Sequence, residues 1–153
     1  MGRKAAAKFH PHLIQGGRRA DERGSASFVN GFDFKGVDRF YWIQASRPNF
    51  PRGWVGHQRD HKWFSVIRGE ALVAVVQPDL WSSPRRDLPV RRFTLAAVNP
   101  QVLHVPPGFA AGTVQLTPGA ILMVFSSGKI EDAQTDDFRF PADYWPILPP
   151  VSE

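Results

Sequence analysis

The 153-residue sequence contains no cysteine, so it forms no disulfide and offers no thiolate to a metal. Its longest apolar runs fall far short of the roughly 18 to 20 residues that a membrane span needs. The basic opening stretch, MGRKAAAKFHPHLIQGG, lacks the apolar centre of a secretory signal. These absences lead to the expectation of a soluble, cytoplasmic protein. Acids are missing from residues 1–20, which hold Arg3, Lys4, Lys8, Arg18 and Arg19, while the rest of the chain balances 14 basic against 14 acidic residues. The net charge of +5 therefore belongs to a basic lead-in on a neutral body. No folded basic face with interleaved aromatics points to nucleic acid.

Strong helix formers are sparse beyond the first residues. Fourteen prolines and thirteen glycines cut the chain into short segments, and twelve phenylalanines and five tryptophans supply bulky core material. Short β-rich segments between turn signals predict an all-β domain over residues 21–153, behind a lead-in over residues 1–20 that has one strand at residues 8–15. Eight to ten strands of this kind suggest a double-sheet jelly roll closing on itself, with a small ligand in its mouth. The segment DRFYWIQA (38–45) is the clearest early strand, and SRPNFP (46–51) is a loop because its prolines cannot join a ladder. Thr117-Pro118-Gly119 reads as the turn of a hairpin, and the proline-rich end of the chain, with Trp145, is expected to wrap the outside.

The chain is organised around residues 52–74, RGWVGHQRDHKWFSVIRGEALVA. Ionisable residues come first and apolar ones second. Residues 62–76 read as a hairpin across Arg68-Gly69, with His57, His61 and Lys62 at its mouth. A histidine and a lysine at the rim of an apolar cavity are suited to proton transfer. His57 and His61 have three residues between them, so they do not form the His-x-His pair of a metal-binding barrel, and a three-histidine metal site is incomplete. His104 alternates with Val102 on one strand face, and a place in the cavity competes there with a surface or core role. Asp136-Asp137 reads as solvated charge, and Trp42, Trp54 and Trp63 as core.

Three patterns occur in order: Asp21-Glu22-Arg23-Gly24 before a short strand; Arg52-Gly53 with a histidine-bearing strand leading to Lys62; and LHVPPGFAAG over residues 103–112. Together they resemble the cupin sugar-nucleotide enzymes, the dTDP-4-dehydrorhamnose 3,5-epimerases and the dTDP-4-keto-6-deoxyhexose 3,4-ketoisomerases, over residues 15–145. The resemblance implies a cupin jelly roll, a homodimer that exchanges N-terminal strands, catalysis without a metal or other cofactor, and a nucleotide-linked deoxyhexose as substrate. It gives His57 the role of base and Lys62 that of enolate stabiliser. Arg23 and Arg52 become clamps on the diphosphate and sugar, and His61 and His104 further substrate-binding residues.

The chain also departs from the family pattern. Val55 stands in the first histidine position after Arg-Gly, with His57 two residues on along the same strand face. Ala111 replaces the histidine that follows Pro-Pro-Gly-Phe-Ala. The strand before Gly128 has no tyrosine, and Gly128 itself stands near the place of an aspartate that orients a histidine. Two other readings therefore stay open: a silent relative that binds a sugar nucleotide without turnover, and a metal-dependent oxygenase.

Overall fold

A computed structural model describes residues 9–151. Twelve strands are formed: β1 His12–Gln15, β2 Gly17–Asp21, β3 Gly24–Phe28, β4 Arg39–Gln44, β5 Arg52–His57, β6 Lys62–Arg68, β7 Glu70–Val76, β8 Arg91–Ala96, β9 Gln101–Val105, β10 Phe109–Gln115, β11 Ile121–Ser126 and β12 Phe138–Phe140. A 3-10 turn at Ile130–Asp132 and a one-turn helix, α1, at Ala133–Asp136 precede β12. Two five-stranded antiparallel sheets face each other, one ordered β1-β9-β6-β11-β4 and the other β12-β5-β10-β7-β8, with β2-β3 as a separate ribbon. This is the expected jelly roll. The sheets do not close into a barrel: β1, β4, β8 and β12 remain edges.

The expected strand at 8–15 narrows to β1, which pairs with β9; residues 1–8 lie outside the described residues. Both expected hairpins are corrected. β6 pairs with β9 and β11, whereas β7 pairs with β8 and β10, so residues 62–76 pass from one sheet to the other. The corner is Gly69, whose φ of 72° belongs to the left-handed region that glycine adopts without cost. Thr117-Pro118-Gly119 is likewise a real turn, closed by Ala120 N–H donating to Thr117 O at 3.2 Å, but it joins β10 and β11 in opposite sheets. A turn signal marks a change of direction and leaves the next pairing partner unspecified.

The run ALVAVV is apolar on both faces because β7 is covered on both faces. Ala71, Val73 and Val75 join Phe64, Val66, Leu95, Leu103, Leu122 and Val124 between the sheets. Leu72, Ala74 and Val76 face outward against Trp54, Trp145 and Ile147. Each fully buried aliphatic side chain stabilises the fold by roughly 1.5 to 3 kcal/mol. The C-terminal segment therefore does wrap the outside of the second sheet, and the Trp54 indole N–H donates to Trp145 O at 3.0 Å. The outer face of the first sheet is less covered. Phe40 and Trp42 are each 60% exposed there, and Phe40 joins Phe125, Phe32 and Phe34 in a chain of ring contacts.

Candidate active site

At one end the space between the sheets is left open as a cavity of about 610 Å³, within the range of small-ligand sites. Strand register explains which side chains reach it. Opposed residues of an antiparallel pair project to the same side. Arg39, Ser126, Lys62 and Val105 stand opposite one another across β4, β11, β6 and β9, and Tyr41, Val124, Phe64 and Leu103 form the adjacent row. On the facing sheet, Arg139, Val55 and Ala111 form one row and His57 opposes Phe109. The cavity is lined by Arg39, Tyr41, Lys62 and Phe64 from one side and by Arg52, Val55, His57, Ala111 and Arg139 from the other.

His57 is buried at the end of β5 and held from the C-terminal turn. Its Nδ1 lies 3.0 Å from the backbone oxygen of Asp136. A carbonyl only accepts, so Nδ1 carries the proton and Nε2 is the basic atom of the neutral ring. The Asp137 carboxylate lies 3.5 Å from the same Nδ1. Burial pushes the His57 imidazole below its usual range and the Lys62 ammonium adds to this. The Asp60 and Asp137 carboxylates and the Asp136 carbonyl oppose the shift without cancelling it. The ring is neutral near pH 7, the state a general base requires.

Lys62 is also buried. Its Nζ lies 3.0 Å from Asp60 Oδ2, donates to Ser126 Oγ at 3.0 Å, and stands 5.5 Å from the centre of the Tyr41 ring. Asp60 further accepts from the Ser126 and Ser127 hydroxyls, both at 2.8 Å, and from Gly128 N–H at 2.7 Å. Burial alone would raise the Asp60 carboxyl, but the Lys62 charge and these hydrogen bonds together hold it below its usual range. Gly128, noted as standing near the place of a family aspartate, has a structural reason to be glycine. A Cβ there would lie 3.0 Å from Asp60 Cγ, so the carboxylate of Asp60 fills that space.

Asp136 is not solvated charge. It is buried, and its carboxylate accepts from the backbone N–H groups of Gln58, Arg59 and Asp60 at 2.8, 3.2 and 2.9 Å. The loop between His57 and Lys62 is thus folded around this one side chain, which offsets three otherwise unpaired donors. Gly108 N–H closes the other side of His57, donating to His57 O at 2.8 Å from the Pro-Pro-Gly turn.

The structure brings His57, Lys62 and Arg52 to one cavity, and places Arg23, His61 and His104 elsewhere. Arg23 lies at the exposed tip of the β2-β3 ribbon, paired with Asp21 at 2.6 Å. His61 and His104 lie on the outer face of the first sheet because β6 alternates: Lys62 points in, and Trp63 points out. His61 Nδ1 and His104 Nε2 are 2.9 Å apart, and both rings stack on Trp63, with His12 edge-on to His104. His61 is pushed down by burial, against the pull of Asp60. Burial, with His12 and His61 adding to it, pushes His104 down to about 4.

Sequence reasoning missed Tyr41, Asp60, Asp136, Asp137, Arg39 and Arg139. The DRFYWIQA alternation carried a usable signal, since Arg39, Tyr41 and Ile43 are the odd-numbered face and all line the cavity. No local pattern marks Asp136, whose three donors are 76 to 78 residues away.

No protein-family model matches the sequence, and no curated protein matches it either. The likeness is to solved structures. A 3,4-ketoisomerase from Thermoanaerobacterium thermosaccharolyticum in complex with TDP is 21% identical, over 89% of this chain and 92% of that one, with a TM-score of 0.67. The TDP-quinovose 3,4-ketoisomerase of Campylobacter jejuni is 19% identical over 88% and 95%, with a TM-score of 0.64. The dTDP-4-dehydrorhamnose 3,5-epimerase of Bacillus anthracis, with TDP and PPi bound, is 20% identical over 92% and 87%, with a TM-score of 0.66. The chain has the fold of the two enzyme groups that its sequence motifs resemble.

Proposed function

We propose that the cavity binds a nucleotide-linked 4-keto-6-deoxyhexose and that the protein is an epimerase or 3,4-ketoisomerase acting by proton transfer next to the keto group. The observation that carries this reading is the state of His57, a buried neutral imidazole whose Nδ1–H is taken by the Asp136 carbonyl inside a cavity rich in arginine. Nε2 removes the α-proton. The resulting enolate oxygen gains from the cationic side of the cavity, where Lys62 stands. Arg39, Arg52 and Arg139 supply the guanidinium forks suited to a diphosphate, so that binding energy remote from the reacting carbon positions the sugar. Tyr41 projects from the sheet opposite the one that carries His57. A sugar ring between the sheets meets the base on one face and the phenol on the other, which suits return of the proton with inversion.

The same reading includes a homodimer and a cytoplasmic setting, which the lack of cysteine suits. The β2-β3 ribbon is almost entirely exposed and pairs with no other strand among the described residues, and an isolated two-stranded ribbon is marginal in water. The exposed aromatic face of the first sheet is the kind of patch that a second copy covers. Exchange of the ribbon would carry Arg23 to the neighbouring cavity, where it would join the diphosphate clamp.

The test is proton exchange on dTDP-4-keto-6-deoxyglucose in heavy water, followed by NMR. Deuterium at C3 or C5 with the ketone still at C4 identifies an epimerase. Deuterium at C4 with the ketone moved to C3 identifies a ketoisomerase. Binding of dTDP without any label defeats the enzymatic reading and leaves a sugar-nucleotide binder.

A further inference from the structure

Three carboxylates surround His57, and they differ in how far their charges are already committed. Asp60 is bound to Lys62, two hydroxyls and a backbone N–H. Asp136 is saturated by three backbone N–H groups. Asp137 is divided between a neutral imidazole and a guanidinium. Its Oδ1 lies 3.5 Å from His57 Nδ1, and its Oδ2 lies 3.2 Å from an Arg139 guanidinium nitrogen. Its main chain is fixed, since Asp137 N–H donates to Ala133 O at 3.0 Å and β12 begins at the next residue. What can change is how the side chain's charge is shared.

We propose that Asp137 is a positioning residue shared between His57 and Arg139, and that a diphosphate engaging Arg139 releases this carboxylate to the base. The inference rests on the reading of the cavity as a sugar-nucleotide site. Arg139 is suited to the exchange because it is 73% exposed while still lining the cavity, on the row of β12 opposite Val55. Asp137 is 24% exposed, so its interaction with His57 is far less screened than a surface pair. A bound anion neutralises the guanidinium, and the Asp137 charge then falls undivided on the imidazole. Two consequences follow for the reaction. The Nδ1–H is held more firmly, which aims Nε2, and the imidazolium formed by proton abstraction is better stabilised. Lys62, the depressing charge on the same ring, and Asp60, which opposes it, are bound to each other and stay constant through this exchange. Asp137 is the member of the set whose second partner, Arg139, is open to a ligand.

The arrangement couples seating of the substrate to strength of the base, so a diphosphate bound without a sugar already primes His57. The experiment is an NMR titration of the His57 ring in the full chain, free and with inorganic pyrophosphate, for wild type, Asp137→Asn and Arg139→Gln. Without ligand, Asp137→Asn lowers the His57 midpoint and Arg139→Gln raises it, each by about half a pH unit. Pyrophosphate raises the midpoint in wild type by its own charge plus the released carboxylate. In Asp137→Asn only the direct part remains. Equal pyrophosphate shifts in wild type and Asp137→Asn overturn the proposal, as does unchanged pyrophosphate affinity in Arg139→Gln. Neither result touches the proton-exchange assay with the keto sugar, which decides the function separately. A protein that shows the coupling but labels no sugar has a primed imidazole in a binding protein, and the coupling stands.

Discussion

Only three residues separate His57 from His61, yet one lines the cavity and the other lies on the outer face of the first sheet. Burial holds both rings below the usual imidazole range. The difference lies in what takes up Nδ1. For His57 it is a backbone carbonyl backed by a carboxylate, which fixes the tautomer and stabilises the ring once it is protonated. For His61 it is another imidazole, His104, at 2.9 Å. Two imidazoles share a hydrogen bond only while at least one of them has a bare nitrogen, so protonating both sets two N–H donors against each other. A protonated His57 keeps both of its partners, whereas His61 and His104 keep their hydrogen bond only while one of the two rings stays neutral. Histidine near a candidate site is therefore weak evidence by itself; its Nδ1 partner decides what the ring can do.

The largest effect that sharpens this contrast is on chemistry. His57→Asn should lower deuterium incorporation into the keto sugar by about 10² to 10⁴-fold, the usual contribution of a positioned base, while dTDP still binds by calorimetry. His61→Gln should leave the rate within about threefold, since the ring faces away from the cavity. Comparable losses in both variants would erase the distinction between inner and outer histidine.

The next largest effect is on stability and concerns the buried pair beside His57. Asp60→Asn leaves the Lys62 ammonium buried without its counter-charge, and removing one partner of such a pair costs about 3 to 5 kcal/mol. Urea melts should show that loss as a lower midpoint. Lys62→Met removes the charge that Asp60 balances and should cost a similar amount. The double variant, Asp60→Asn with Lys62→Met, should recover part of the stability, because no charge is then left unpaired. Additive losses would mean that each side chain is held by its other partners and that the pair is not the unit.

Much of the architecture was legible because alternation within a strand is a local property. The strands at 39–44 and 70–76 and the Pro-Pro-Gly turn at 106–108 stand where their patterns put them. Pairing partners were not legible. The order Lys62-to-Arg68, glycine, Glu70-to-Val76 fits a hairpin and a sheet-crossing corner equally well, and what separates them is the partners of β6 and β7, some 20 to 60 residues away. The site divides in the same way. His57, Lys62 and Arg52 lie on one stretch and could be read together. Asp136 and Asp137 reach His57 from the far end of the chain, with Arg139 paired to Asp137, in a segment whose charge looks like an ordinary solvated turn. Ala111 and Gly128 appeared as losses from the family pattern. At Gly128 the carboxylate of Asp60 occupies the space and accepts from the Gly128 N–H, while the carboxylate beside His57 is Asp137.

The smallest effect tests the outer histidines by acid. His104 stands at about 4 in the folded protein, against about 6.5 for an unperturbed histidine in the unfolded chain. Between those values the unfolded state binds a proton that the folded state does not, so stability falls as pH drops from about 6.5 to about 4, and below that this ring adds no further loss. His61 and His57 shift the same way, so the wild-type melting temperature should decline through this window. His104→Gln keeps a polar group beside His61 but removes one titrating ring, and its decline between pH 7 and 4 should be smaller, by about 2 to 4 °C for each kcal/mol that the ring contributes. Parallel curves for wild type and His104→Gln would mean that the ring titrates alike in both states, and the outer stack would then lose its contrast with the cavity.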